Sequence, residues 1–344
     1  MIQNRNLEKK KYLFYVMVAT IIVSVLFIAC KKENETITGT NQIIITTSGG
    51  NVSFGMVGTG MMSIDWGDET RIELHKLSRG DLYCHSFQSA STIIITGDIT
   101  YFNCNKSNIT HLDVSKNTVL TSLLCLNNQL ISFDVSKNKA LENLWCDENE
   151  LTNLDINPAL TFLLCSYNKL TKLDVSKNIA LTYLNCYAND LTGLDVGSNT
   201  ALIDLNCSYN NLTTLDVNKN TALERLYCGD NKLTSLDVSK NTALTGLSCG
   251  KTNLTSLDIS KNTALEWLYC SYNKFTNLDV SKNTALKDLW CEYNQQTDLE
   301  LNALFSTLHS NTISGGKNIY IKGNEGAKNC DRSIAENKGW VVYD

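Results

Sequence analysis

Ten cysteines stand at positions 104, 125, 146, 165, 186, 207, 228, 249, 270 and 291, and every interval is 21 residues except one of 19. A periodic thiol can bind metal, form disulfides or act as a nucleophile, so chemistry is the first question the chain raises. The Cys-x₂-Cys pairs typical of zinc sites are absent from the ladder. If each cysteine occupies the same place in a stacked strand, neighbours lie about 4.8 Å apart. A disulfide needs β-carbons nearer ~3.8 Å. A small buried hydrophobe is therefore the leading expectation, with occasional disulfides and metal as the lesser alternatives. Cys84 and Cys330 fall outside the period and are free or paired.

Aspartates form a second column at 113, 134, 155, 174, 195, 216, 237, 258 and 279. No Asp-x-Asp-x-Asp loop accompanies them, as a calcium site would need, so turn capping is expected over metal binding. Four histidines, His75, His85, His111 and His309, are scattered and pair with no nucleophile or carboxylate dyad. There is no phosphate-binding glycine loop and no HExxH. Catalysis is not expected, nor is a cofactor or a metal.

The remaining chemistry is aromatic. Beside the cysteines stand Trp145, Phe162, Tyr167, Tyr183, Tyr187, Tyr209, Tyr227, Trp267, Tyr269, Tyr272, Trp290 and Tyr293. In the right register they share one surface. Exposed aromatics in a row point either to cross-strand stacking for stability or to a ligand face, since Tyr and Trp are favoured interface anchors. Gly246, Ser248 and Gly250 interrupt the row at the eighth coil, which predicts two sub-patches.

What must position these residues is a repeat, LxxLxCxxNxLTxLDVSKNTA. Leu184 and Cys186 alternate with Tyr183, Asn185 and Tyr187, a period of two that specifies a strand with one face inward. Asn189 follows as a turn residue able to pair with backbone groups of the next coil, as do all but Ser107 and Thr252 at this position. Leu191 to Ala201 repeats the idea as a second strand-turn half. The one deletion replaces VSKNTAL with INPAL at Ile156–Leu160 and carries the only proline, Pro158. No unit has room for a helix of ordinary length. Ten stacked coils make a rod or shallow arc of roughly 50 Å, and no coil buries its leucines alone, so caps are needed at both ends.

The unit resembles the leucine-rich repeat over about Ile99 to Leu301, and within that family the 21-residue cysteine-ladder repeats of internalin J-like bacterial proteins. The resemblance implies a solenoid and a role in protein binding or adhesion. The expected fold is mostly β: a ten-coil leucine-rich repeat solenoid over residues 99–301, with a β-sandwich-like cap at 42–98 and a small α/β cap at 302–344. SIDWGDE (Ser63–Glu69) resembles the WGDG signature of PKD-like modules, with Glu69 in place of Gly. In the C-terminal cap, LNALFSTL is predicted as a helix, and IYIKG and GWVVY as strands.

The first residues differ in kind. Lys9-Lys10-Lys11 precedes an apolar stretch from Tyr12 to Ala29, closed by Cys30. Phe27-Ile28-Ala29-Cys30 resembles a lipobox, with Phe27 where Leu is usual. This implies a signal peptide at 1–29, lipidation of Cys30 and a tether at 30–41, so that the chain is held to a membrane without spanning it; an uncleaved anchor is the alternative. Cleavage would remove Arg5, three lysines and Glu8, taking the formal charge from −5 to −8. Lys31–Glu35, KKENE, is similar to the signals of surface lipoproteins of the Bacteroidetes, which implies outer-membrane, cell-surface display.

A chain 43% apolar and 19% charged is not a disordered one, and with no basic run beyond the N-terminus nucleic acid is a poor partner. The expected function is a non-enzymatic, lipid-anchored module that recognises a host or bacterial surface protein through its aromatic concave face. Glycan capture and a purely structural spacer are the alternatives.

Overall fold

The computed structural model describes residues 40–68, 73–77 and 82–344. The expected signal peptide, Cys30 and most of the expected tether lie outside the described residues.

Alternation drives the N-terminal region. β1 (Gln42–Thr47) buries Ile43 and Ile45, and β2 (Gly50–Asp65) buries Val52, Phe54, Met56, Met62 and Ile64. β3 (Glu73–Lys76), β4 (Leu82–Phe87) and β5 (Ser91–Asn103) pair antiparallel with β2, and β1 pairs antiparallel with β5 and with β6 (Ile109–Asp113). The expected boundary at 98/99 falls inside β5. Its last residues, Tyr101–Asn103, pair in parallel with β7 (Ser122–Leu124), so cap and solenoid share one sheet and one core.

From there each coil supplies a three-residue parallel strand: β8 (Asn143–Trp145), β9 (Phe162–Leu164), β10 (Tyr183–Asn185), β11 (Asp204–Asn206), β12 (Arg225–Tyr227), β13 (Gly246–Ser248), β14 (Trp267–Tyr269) and β15 (Asp288–Trp290). The ladder does not stop at the tenth cysteine. β16 (Asn318–Tyr320) and β17 (Val341–Tyr343) continue it in register, giving about twelve turns. In β16's coil Ile321 takes the cysteine's place and Asn324 the asparagine's, its amide reaching Cys291 O at 2.9 Å and Ile321 O at 2.8 Å. Helix α1 (Asp298–Thr307), a 3₁₀ turn (Glu325–Lys328) and α2 (Ser333–Glu336) fill the space around these last turns, α1 burying Leu301, Leu304 and Phe305. Among the described residues no helix is long and apolar enough to cross a membrane.

Buried backbone groups need partners, and the asparagines provide them. Asn189 donates to Cys165 O at 3.0 Å and Cys186 O at 3.1 Å, and its Oδ1 accepts from Leu170 N at 3.0 Å. A second column does similar work on the other side: Asn199 donates to Val175 O and Asn178 O, both at 2.8 Å. The aspartate column caps turns. Asp195 Oδ1 accepts from Gly197 N at 2.8 Å and Asp237 Oδ1 from Ser239 N at 2.9 Å, and such bonds from Ser176 and Ser239 hold Asp174 and Asp237 below the usual carboxylate range.

The ten ladder thiols are free and buried. Each lies against its neighbours in the apolar core, and several donate to the carbonyl before the next cysteine, as Cys146 does to Leu164 O at 3.3 Å. Burial pushes Cys186 and Cys249 up to about 12 and raises the other ladder thiols well above the ordinary thiol range. A thiolate is the reactive form, so a thiol reagent added to native protein is expected to modify exposed Cys84 first, partly covered Cys330 more slowly, and no ladder cysteine until urea unfolds the chain. Rapid native labelling of the ladder, read by peptide mass mapping, would contradict the packing role.

Candidate aromatic recognition face

Within each coil the leucine of the strand points inward, while the residues on either side of it point out to the concave surface. The turn then bends through a left-handed residue two after the cysteine. That place is held by Lys106, Asn127, Glu148, Tyr167, Ala188, Tyr209, Asp230, Lys251, Tyr272 and Tyr293, all with φ between 51° and 60°. The coil of β16, where Ile321 replaces the cysteine, uses glycine there, Gly323. A non-glycine residue in this conformation costs about 1–2 kcal/mol, and strain retained at surface positions marks function as a hypothesis. Here it turns Tyr167, Tyr209, Tyr272 and Tyr293 outward, 39–50% exposed.

The twelve aromatics proposed from sequence thus divide into two columns. Tyr167, Tyr187, Tyr209, Tyr272 and Tyr293 form a lateral ridge. Tyr187, one residue after its cysteine, bridges Tyr167 and Tyr209 with ring centroids 5.1 and 5.0 Å away. The Lys251 ammonium sits between Tyr209 and Tyr272, 5.6 and 5.9 Å from the two ring centres, and is paired with Asp230 at 3.2 Å. Tyr272 and Tyr293 stack at 4.3 Å. Burial raises Tyr187 and Tyr272 above the ordinary phenol range.

The concave column holds the others. Trp145 is only 8% exposed, tilted against Phe162 at 5.0 Å, with Leu124 and Leu164 buried on either side. It is a packing residue, which corrects its place on the exposed row; flanking leucines on adjacent strands cover it. Phe162 stacks on Tyr183 at 4.5 Å. The middle of the face is polar, where nearly buried Asp204 accepts from Arg225 Nε at 2.6 Å.

The expected interruption at the eighth coil is bridged. A β-carbon on Gly246 would fall 1.9 Å from the Trp267 ring, and one on Gly250 would fall 2.2 Å from the Tyr269 ring. The two glycines are the beds on which these rings lie. Trp267 leans across Gly246 to within 5.4 Å of Tyr227, so the row is not divided into two patches.

Two aromatics were missed. Tyr320 stacks on Trp290 at 5.4 Å with the planes 5° apart, and Tyr343 on Tyr320 at 4.7 Å. They belong to the coils without cysteine, and the signal for the first was I-Y-I-x-x-N at Ile319–Asn324, the repeat with Ile for Cys. Among the described residues no group of three or more His, Cys, Asp or Glu is arranged to hold a metal.

The fold is that of a leucine-rich repeat solenoid. The chain is similar to the functional domain of InlJ from Listeria monocytogenes, which includes a cysteine ladder: 34% identity over 73% of this chain, with a TM-score of 0.55. It spans 59% of that domain's length. An internalin (inlF) of the same organism is 18% identical over 71% of this chain and 86% of its own, with a TM-score of 0.49. A leucine-rich repeat protein of Leptospira interrogans is 17% identical over 70% and 83%, with a TM-score of 0.40. No family model and no curated protein matches the chain.

Proposed function

We propose that the chain is a non-enzymatic binding module that recognises a protein through the tyrosine ridge and the aromatic column beside it, and that it is displayed on the bacterial surface by a lipid on Cys30. The observation that carries the reading is ring orientation. Phe162–Tyr183, Tyr272–Tyr293, Trp290–Tyr320 and Tyr320–Tyr343 stack with planes 5–13° apart. Rings stacked in this way cover each other's faces and turn edges and hydroxyls to the ligand, while Tyr167, Tyr187 and Tyr209 meet at 53–63° and pack edge against face. A pyranose needs an open ring face, and stacks of this kind offer one only at their ends. Rigid tyrosine edges with hydroxyls are instead suited to protein interfaces.

The test is a pull-down of host and bacterial surface proteins on the purified solenoid, run with a glycan array. Wild type is expected to retain a defined protein that a Tyr167→Ala/Tyr209→Ala/Tyr272→Ala/Tyr293→Ala variant loses while its circular dichroism is unchanged. An array signal abolished by Tyr343→Ala would favour glycan capture, and no ligand of either kind would leave a spacer. For the anchor, metabolic lipid labelling should vanish in Cys30→Ala; labelling that survives removes that part of the proposal.

A further inference from the structure

The C-terminal stack has one opening, and Gly250 of the eighth coil creates it. Tyr269 lies back on Gly250, towards the N-terminal end of the solenoid. Trp290 lies the other way, flat on Tyr320. Between them the ring centroids are 6.4 Å apart and the planes meet at 51°, against 4.7–5.4 Å and 5–13° in the rest of that stack. The indole face turned towards Tyr269 therefore has no parallel ring on it.

Glu292 stands at this wedge. Asp288 and Trp290 flank the inward Leu289 on the concave side, and Glu292, one residue after Cys291, stands partly buried where, after burial itself, its charge raises the Tyr269 phenol. Glu292's own N–H donates to Ser271 Oγ at 3.2 Å, which ties it to the coil of Tyr269. No cation lies within 4.0 Å of either carboxylate among the described residues, whereas the neighbouring Asp204, Asp230 and Glu266 are each paired, with Arg225, Lys251 and Lys287. Burial raises Glu292 above the usual carboxylate range, and the charge of Lys322 and the Ser271 hydroxyl only partly offset this. A partly buried carboxylate with no cation partner, beside an indole face that carries no parallel ring, suits a group that is planar, cationic, able to stack and to donate a forked pair of hydrogen bonds.

We infer that the wedge between Tyr269 and Trp290 takes the guanidinium group of an arginine on the protein partner, stacked on the indole and hydrogen-bonded to Glu292. This rests on the protein-recognition reading above. Lysine, a compact and strongly hydrated ammonium without a stacking plane, is the poorer fit.

The test is calorimetric titration of the whole chain with heptaarginine amide, heptalysine amide and heptaglutamate at low ionic strength. Heptaarginine should bind and heptaglutamate should not, with heptalysine weaker than heptaarginine. Glu292→Gln should weaken heptaarginine by about tenfold, the worth of one charge-assisted bond. Gly250→Ala, which pushes Tyr269 towards Trp290 without touching charge, should weaken it too. Asp237→Asn/Asp258→Asn on the aspartate column removes more charge and should leave binding as in wild type. Equal binding of heptalysine, or a loss in the double variant matching that in Glu292→Gln, would show nonspecific attraction and overturn the inference. If the pull-down retains a protein and the titration shows no Glu292 dependence, the arginine site fails and protein recognition stands. Glu292-dependent binding of heptaarginine with no protein captured would have the opposite meaning.

Discussion

Asn210→Ala is expected to destabilise the solenoid by about 3–5 kcal/mol, the sum of several buried backbone groups left without partners. The Asn210 amide shares its hydrogens among Cys186 O, Cys207 O and Ser208 O at 3.0–3.2 Å, and its Oδ1 accepts from Leu191 N at 3.0 Å. Alanine leaves the Cys186 carbonyl and the Leu191 N–H facing an apolar interior. Because each coil is held only by its neighbours, the damage should also divide the array. Urea unfolding followed by circular dichroism should show a lower midpoint and a broadened or two-step transition. Asn253→Ala, at an exposed position whose side chain has no such role, should change little. The converse is available at Thr252, where the side chain reaches Cys249 O and Asn273 Oδ1 but does not span to Cys228 O or Leu233 N as an asparagine does elsewhere. Thr252→Asn is expected to add about 1–2 kcal/mol. A neutral Asn210→Ala would mean that the ladder contributes register and not stability.

The second large effect is a dependence on pH built around Asp147. This carboxylate is 1% exposed; Oδ1 accepts from Ser166 N at 2.9 Å, and Oδ2 has no partner among the described residues. Burial pushes its pKa up to about 7, and the hydrogen bonds from Ser166 only partly oppose that. With the folded value above the unfolded one, the folded state binds the extra proton between about pH 4 and pH 7. Stability contributed by the protonated acid is therefore complete below about pH 4, falls as pH rises to about 7, and is then flat. The drop is on the order of 4 kcal/mol if no other group compensates. Asn105 occupies the same place in the first cysteine coil and uses Oδ1 for the same bond, to Leu126 N at 2.8 Å, so an amide fits the site. Asp147→Asn should remove most of the slope and leave the protein about 2–4 kcal/mol more stable than wild type at pH 8. Parallel urea curves for the two proteins from pH 4 to pH 8 would show that the carboxylate stays charged when folded.

Much of the fold was legible because one coil is written so many times. The cysteine period fixed the register of the parallel strands, β5 and β7 to β15, and the Leu-x-Cys alternation fixed which residues faced inward. The legible part ended where the marker ended. Ile321 in place of a cysteine, and α1 inserted between Asn294 and Asn324, hid the last two turns and with them Tyr320 and Tyr343. Period alone also placed Tyr187 with Tyr167 and Tyr209, although they are one residue apart in the turn and meet only because that turn is left-handed.

What the sequence determined by itself is the coil: its strand, its paired asparagines, its inert thiol and the surface on which the aromatics stand. These follow from local periodicity and from hydrogen bonds repeated identically between neighbours. What the tertiary structure decided is how each ring lies on the next coil. Gly246 and Gly250 were gaps in the row as sequence; in the stack they are the space into which Trp267 and Tyr269 lean. Trp145, an anchor by its position, is closed over by its neighbours. A side chain's tilt depends on the size of the residue one coil away, some 21 positions along the chain, and no reading of a single repeat contains it.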